Sequence, residues 1–343
     1  MNAVVWTGAD LPEVRDVPEP SPAPTEVLIR VERAGICGTD LSILGGVHPR
    51  ATAPLILGHE LAGRVVATGS EVPAARKRQL LQGLVTVEPI VSCGQCGACR
   101  RGIGHVCQNL KLYGIDLPGG MAEFVAVRQD LVIPAAPELG AEDVVLAEPL
   151  AVAVHAVRRA GQRYGDRVCV IGGGPIGIMI GLVAQAAGAG LVLVSEPVAH
   201  RRAIAAGLGF VTVDPTTADL MQTVTEITGG DGVDVCYESA GSPAAVTSAT
   251  QILRPRGTLA QVSIPKLPVP VRIVDLAFKE LTVVGIRVYE PGDFAHALDL
   301  LRRQPAEFAG LRSQAYGFPE AQAAFQQARE GSSVLRVILD PGA

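Results

Sequence analysis

At 343 residues the chain is too long for one ordinary core, so two domains are expected. An apolar content of 48% with 18% charged residues excludes a disordered chain, and 39 glycines and 25 prolines without a short period exclude collagen-like or low-complexity sequence. A net charge of −5 with no Lys/Arg stripe argues against nucleic acid as a partner; with no leader-like N-terminus and no run of 18 apolar residues, the expectation is a soluble, cytoplasmic protein with no membrane contact.

The first third carries short β-branched runs separated by turns: Glu26–Val31, Leu61–Val66 and Glu123–Val127. That spacing predicts a barrel-like β unit. Pro18 to Pro24, with four prolines, reads as an extended connector. After about Gly140 a helix is expected over Ala141–Ala160, and strand and helix signals then alternate. Strands are predicted at Arg167–Ile171, Leu191–Ser195, Val233–Tyr237, Thr258–Val262 and Leu281–Gly285, and helices at Gly177–Ala187 and His200–Gly207. Such alternation predicts a doubly wound parallel sheet. A last strand, Val334–Leu339, could return to the first domain.

Of seven cysteines, four form Cys93-x2-Cys96-x2-Cys99-x7-Cys107. Clustering within fifteen residues favours a metal over a disulfide framework. Four thiolates on short Gly-containing loops suit tetrahedral Zn²⁺ and leave no position for substrate, so this zinc would be structural. Disulfides or an iron–sulfur cluster are the competing readings; His105 lies within the lobe but is not needed to complete the shell.

Gly172-Gly173-Gly174-Pro175-Ile176-Gly177 fits G-x-G-x-x-G between a predicted strand and a helix. Glu196, nineteen residues after Gly177, ends the next strand, where an acid can bond a ribose diol. An acid there repels a 2′-phosphate and favours NAD over NADP, although Arg201 and Arg202 stand nearby.

A catalytic zinc needs about three protein ligands and an open position. Cys37 and His59 offer a thiolate and an imidazole, and Glu60 or Glu148 a carboxylate. In this order (Cys37, His59-Glu60, the Cys93–Cys107 lobe, Glu148-Pro149, Gly172–Gly177) the chain resembles the zinc-containing medium-chain dehydrogenase family along its whole length. Ala147–Ala153 and Lys279–Gly285 look most like its polyol, butanediol and threonine dehydrogenase branch.

The resemblance implies an α/β plus β architecture: a GroES-like catalytic domain over residues 1–150 with the structural-zinc lobe at about 90–110, a Rossmann domain over 151–287, and a return over 288–343. It implies two zincs per chain and NAD as cofactors. Cys37, His59, Glu60 and Glu148 would serve the catalytic zinc, with Asp40 orienting His59 and Thr39 receiving the alcohol proton. Gly172, Gly174, Pro175, Ile176, Gly177, Glu196, Arg201, Val262, Ile264 and Arg287 would contact the cofactor. The implied reaction takes a hydride from a secondary alcohol (a polyol, vicinal diol or sugar alcohol) to NAD, in a homodimer or homotetramer. A threonine-type amino alcohol is the alternative, with Arg287 as a candidate carboxylate partner. A zinc-free quinone or enone reductase and a non-catalytic nucleotide-binding protein are the remoter alternatives.

Two departures stand out. Ser42 occupies the place where relatives often carry a proton-relay histidine, His48 being the next one downstream. Arg76–Gly83 replaces the usual Gly-Asp-Arg-Val, and is expected to be a solvated basic turn.

Overall fold

The computed structural model describes residues 1–265, 267–311, 314–331 and 334–343. They form two compact units, Met1–Glu148 with Glu290–Ala343, and Pro149–Tyr289.

The first unit is built on a seven-stranded sheet. Its order is Val132–Pro134, Val85–Val87, Glu60–Thr68, Glu26–Gly35, Val337–Asp340 and Gln314–Gly317, with Phe124–Arg128 also pairing with Glu26–Gly35. Val27, Leu28, Ile29 and Val31 are all buried in the central strand. β-Branched and aliphatic residues fill such a pleated interior well. Gly35 pairs with Glu60 and with Ile338, so the end of the chain returns beside the ends of two early strands. A smaller sheet joins Glu13–Asp16, Asn2–Trp6 and Leu55–Ile56.

The second unit holds six parallel strands in the order Val211–Val213, Leu191–Ser195, Arg167–Ile171, Val233–Glu238, Leu253–Gln261 and Thr282–Gly285. Val168, Cys169, Val170, Val192, Leu193 and Val194 are buried without alternation, as strands covered on both faces require. The Val211–Val213 strand and the Leu220–Thr228 helix escape the sequence reading, the first because it is only three residues long. That helix is capped by Asp219, whose carboxylate accepts from the Met221 and Gln222 N–H groups.

The single helix expected over Ala141–Ala160 is two, Ala141–Val144 and Ala147–Ala160. Pro149 is the cause. It has no N–H to reach the Val145 carbonyl, and its ring would crowd that carbonyl. In the first turn of the second helix neither matters. Among the described residues no helix is long and apolar enough to cross a membrane.

Candidate active site and metal centres

Register between Gly35 and Glu60 sets up the first site. Two residues beyond Gly35 the chain reaches Cys37, and His59 immediately precedes Glu60, so the pairing carries both to one place. Gly58, at φ +95°, makes the turn into His59; a β-carbon there would lie 2.6 Å from Met121 Cγ. Cys37 precedes the Gly38–Leu44 helix, and its N–H donates to Asp40 Oδ2 at 2.8 Å. Ligand atoms of Cys37, His59 and Glu60 all lie within 4.8 Å of one another. Thiol, imidazole and carboxylate converging in this way fit Zn²⁺.

The electrostatics of this site attract positive charge. Burial pushes the Asp40 carboxyl up to about 6. Burial pulls the His59 pKa down, but Cys37 and then Asp40 outweigh it, and the imidazole ends well above its ordinary value. Asp40 Oδ1 stands 3.8 Å from His59 Nδ1, and neither buried atom has a hydrogen-bond partner among the described residues. Asp40 is thus placed to orient the ring. Glu148 is buried at the start of the second helix, and its charge also raises His59.

The residue that sequence reasoning missed is Arg336. Its Nη2 forms a buried ion pair with Glu60 Oε2, across 276 positions of sequence. Gly35 makes room for it, since a β-carbon there would fall onto both Glu60 Oε2 and Arg336 Nη2. No local pattern marks such a partner.

In the cysteine lobe the sulfurs of Cys93, Cys96, Cys99 and Cys107 also gather within 4.8 Å. Cys96 Sγ lies 3.4 Å from Cys99 Sγ and 3.8 Å from Cys107 Sγ, and the Cys93–Cys99 separation is 3.9 Å. A disulfide would need about 2.05 Å. A tetrahedron with Zn–S bonds of about 2.3 Å has edges of about 3.8 Å. The separations therefore fit zinc. Backbone N–H groups of Cys99 and then Gln108 hold the Cys96 thiol down at about 6, which favours the thiolate a metal needs. His105 is buried in the Gly104–Val106 turn and is not one of the four.

In the second unit the glycine loop joins the Arg167–Ile171 strand to the Pro175–Ala186 helix. Gly172 adopts φ +105°, and a β-carbon on Gly177 would collide with the Gly172 carbonyl. Gly174 precedes the helix and Pro175 opens it, which points free N–H groups outward with the positive dipole end. Ile176 lies in the first turn. Glu196 is 3% exposed; Oε2 accepts from the Gly173 N–H at 2.7 Å and Oε1 from the Val198 N–H at 2.8 Å. This acid braces the loop as well as standing at the strand end.

The remaining expected cofactor residues are spread around the same strand ends. Arg201 Nη1 lies 3.8 Å from where a Gly174 β-carbon would be, whereas Arg202 is engaged with Asp214 at 2.8 Å. Val262 and Ile264 follow the Leu253–Gln261 strand, with Ile264 75% exposed. Arg287 is exposed, two residues past the Thr282–Gly285 strand.

Residues 23–138 match the alcohol dehydrogenase GroES-like domain family, and residues 175–303 match the zinc-binding dehydrogenase family. The chain is 39% identical over 284 residues to 2-dehydro-3-deoxy-L-galactonate 5-dehydrogenase of Pseudoalteromonas atlantica, covering 82% of this chain and 81% of that one. It is 40% identical to L-threonine 3-dehydrogenase of Pyrococcus abyssi over 81% of this chain and 79% of that one. A Sinorhizobium meliloti 1021 protein assigned as a zinc-binding dehydrogenase, solved with NADP bound, superposes with a TM-score of 0.88 at 31% identity, over 99% of both chains.

The chain belongs to the zinc-containing alcohol dehydrogenase family. It is an oxidoreductase, not a passive nucleotide-binding protein, and the zinc-free reductase reading falls away.

As a zinc dehydrogenase it has local peculiarities. Ser42, in place of the frequent relay histidine, donates its hydroxyl to the Gly38 carbonyl at 3.0 Å within its own helix. His48 Nδ1 accepts from the Arg50 and Ala51 N–H groups at 3.4 and 3.2 Å, shaping its own loop. Thr39 is half-buried in the first turn of the same helix as Ser42. The basic turn expected at Arg76–Gly83 is largely a helix, Ala74–Leu80. Arg76 pins it by donating to the Gln129 carbonyl at 2.8 Å and to the Val132 carbonyl. Those bonds, invisible in local sequence, explain a basic residue there.

Proposed function

We propose that the chain oxidises a secondary alcohol carried by a polyol, vicinal diol or sugar-acid chain to the ketone, delivering the hydride to NAD. The observation that carries this reading is the convergence of Cys37, His59 and Glu60 within 4.8 Å, in a chain that also holds a four-cysteine cluster. Cys37 and His59 hold the catalytic metal. Glu60 serves as an exchangeable ligand, because Arg336 competes for its carboxylate. Glu148 is the second carboxylate of the site. When bound, zinc supplies Lewis acidity that lowers the pKa of an alcohol hydroxyl. Asp40 holds the His59 ring in orientation, and the Thr39 hydroxyl would relay the alcohol proton, passing its own on toward the nicotinamide ribose as it receives the substrate's. Cys93, Cys96, Cys99 and Cys107 hold the structural zinc.

The reading favours NAD over NADP because Glu196, held by two backbone N–H groups at the end of its strand, would set a carboxylate against a 2′-phosphate. The likeness to a threonine dehydrogenase supports a second reading, a β-hydroxy amino acid whose carboxylate meets Arg287. A panel of polyols, vicinal diols, sugar acids and β-hydroxy amino acids, each with NAD and NADP, tests both. Reduction with a diol, polyol or sugar acid supports the first reading; reduction with β-hydroxy amino acids alone replaces it by the second. No reduction with any of them, on zinc-loaded protein, overturns both.

Self-association is supported by the surface at one sheet edge. Among the described residues the Thr282–Gly285 strand has a neighbour on one side only. Before it in sequence Leu267, Ile273, Val274 and Phe278 are 77%, 67%, 50% and 87% exposed, and Val283 on the strand itself is 48% exposed. A bare edge flanked by apolar side chains suits pairing with a second copy of the same edge.

A further inference from the structure

Glu238 ends the Val233–Glu238 strand with no exposed surface, yet its carboxylate is crowded with donors. Oε1 accepts from the Ala240 N–H at 2.9 Å and the Gly241 N–H at 2.7 Å. Oε2 accepts from Gln261 Nε2 at 2.7 Å and from the Ser263 hydroxyl. The Glu238 carbonyl in turn accepts from the Val262 and Ser263 N–H groups at 2.9 and 3.0 Å. One residue therefore fastens the turn after its own strand to the turn after the Leu253–Gln261 strand. The next residue, Ser239, donates its hydroxyl to the Ile171 and Gly172 carbonyls at 3.0 and 3.1 Å, tying in the glycine loop.

Position in the sheet gives this network a direction. Strand order reverses between Arg167–Ile171 and Val233–Glu238, and ligands of doubly wound sheets bind at that switch point, beyond the carboxyl ends of the strands. Glu196 and the ribose it would hold lie on the Leu191–Ser195 side of the glycine loop. A dinucleotide crossing the loop must place its other half over the ends of Val233–Glu238 and Leu253–Gln261. Those are the two ends that Glu238 joins.

We propose that Glu238 is a positioning residue for the nicotinamide half of the cofactor. Burying an acceptor-only group is costly unless every lone pair is met, and here four donors meet it. The two turns are thereby locked in one arrangement, so Val262 and its neighbours form a fixed surface for the nicotinamide nucleotide. The adenosine half depends on Glu196 and the glycine loop, and is largely indifferent to Glu238.

This inference rests on the dinucleotide reading of the unit, and calorimetric titration of zinc-loaded protein with NADH and with ADP-ribose separates the two. Glu238→Ala should weaken NADH about tenfold, the scale of one lost charge-assisted hydrogen bond, with ADP-ribose unchanged within about twofold. Glu238→Gln keeps one acceptor oxygen for the Ala240 and Gly241 N–H groups but turns an amide N–H₂ toward Gln261, so it should weaken NADH less than Glu238→Ala does, again with ADP-ribose unchanged. Ser263→Ala removes a single donor at the edge of the network. It gives a smaller loss in the same direction and serves if Glu238→Ala does not fold. Equal losses for NADH and ADP-ribose, or no loss for either, would overturn the role given to Glu238. Parent protein that binds neither ligand would overturn the dinucleotide reading itself, and this proposal with it.

Discussion

Arg336 and Glu60 form an ion pair whose side chains are 2% and 3% exposed, in the shell of the candidate catalytic metal. Arg336 comes from the returning C-terminal segment and Glu60 from the start of an early strand. The pair ties the C-terminal segment to that site, and under the proposed function Arg336 would compete with the metal for the Glu60 carboxylate. Removing Arg336 leaves a buried carboxylate without its cation, a loss of about 3–5 kcal/mol. Zinc can take over part of that role. Arg336→Met is therefore expected to lower the melting temperature of zinc-stripped protein more than that of zinc-loaded protein. Equal losses in the two forms would mean that Glu60 does not reach the metal. Gly35→Ala should act on the same pair from the other side and destabilise both forms.

The cysteine lobe predicts a separable loss. Cys96→Ser should reduce the zinc content from two to one per chain and cost on the order of several kcal/mol of stability. Metal analysis and calorimetry read both quantities. Two zincs retained in the variant would contradict four-sulfur ligation.

Glu196 accepts from Gly173 in the glycine loop and from Val198 in its own turn, so its removal has two consequences. Glu196→Ala should raise KM for NAD about tenfold, while the ratio of kcat/KM for NAD to that for NADP falls, because the repulsion of a 2′-phosphate goes with the carboxylate. Loss of the Gly173 brace affects both cofactors alike and cancels in the ratio. An unchanged ratio would remove Glu196 from cofactor selection.

These sites differ in how far they can be read from sequence, and chain separation explains the difference. Cys93 to Cys107 span fifteen positions, so spacing alone forces the sulfurs together. The glycine loop is similarly local. His59 and Cys37 come together through strand register, which a motif order implies but does not display. Arg336 and Glu60 meet only because the last strand pairs with the strand that ends at Gly35, and nothing near Arg336 announces it. Glu238 is an intermediate case: Ala240 and Gly241 are neighbours in sequence, whereas Gln261 and Ser263 arrive from the next strand. The broken helix at Pro149 was legible in principle, since proline cannot continue a helix there.

Glu88 contributes a pH dependence of stability. Burial pushes its carboxyl from an ordinary 4.5 up to about 7, and the nearby Asp130 charge adds to this. A carboxyl with a raised folded pKa binds its proton more tightly in the native state. Its contribution to stability is therefore full below about pH 4.5 and is lost as pH rises toward 7. Glu88→Gln cannot ionise, so it should gain on the parent by a few degrees of melting temperature at pH 8 and show little advantage at pH 4.5 or below. Melting curves across that range check this; a difference independent of pH would mean that Glu88 does not titrate there.

Phe278 at 87% exposed and Val283 at 48% contribute little to the fold of a single chain, so charging them should not unfold it. Phe278→Glu with Val283→Lys places charge on the apolar surface and on the bare strand, the device by which sheets avoid edge pairing. Light scattering on the size-exclusion peak should show the parent as a dimer or larger and the double variant shifted toward monomer, with near-parental circular dichroism. A parent that is already monomeric at micromolar concentration would remove the edge as an interface. A double variant that keeps the parent's size would place the interface elsewhere on the chain.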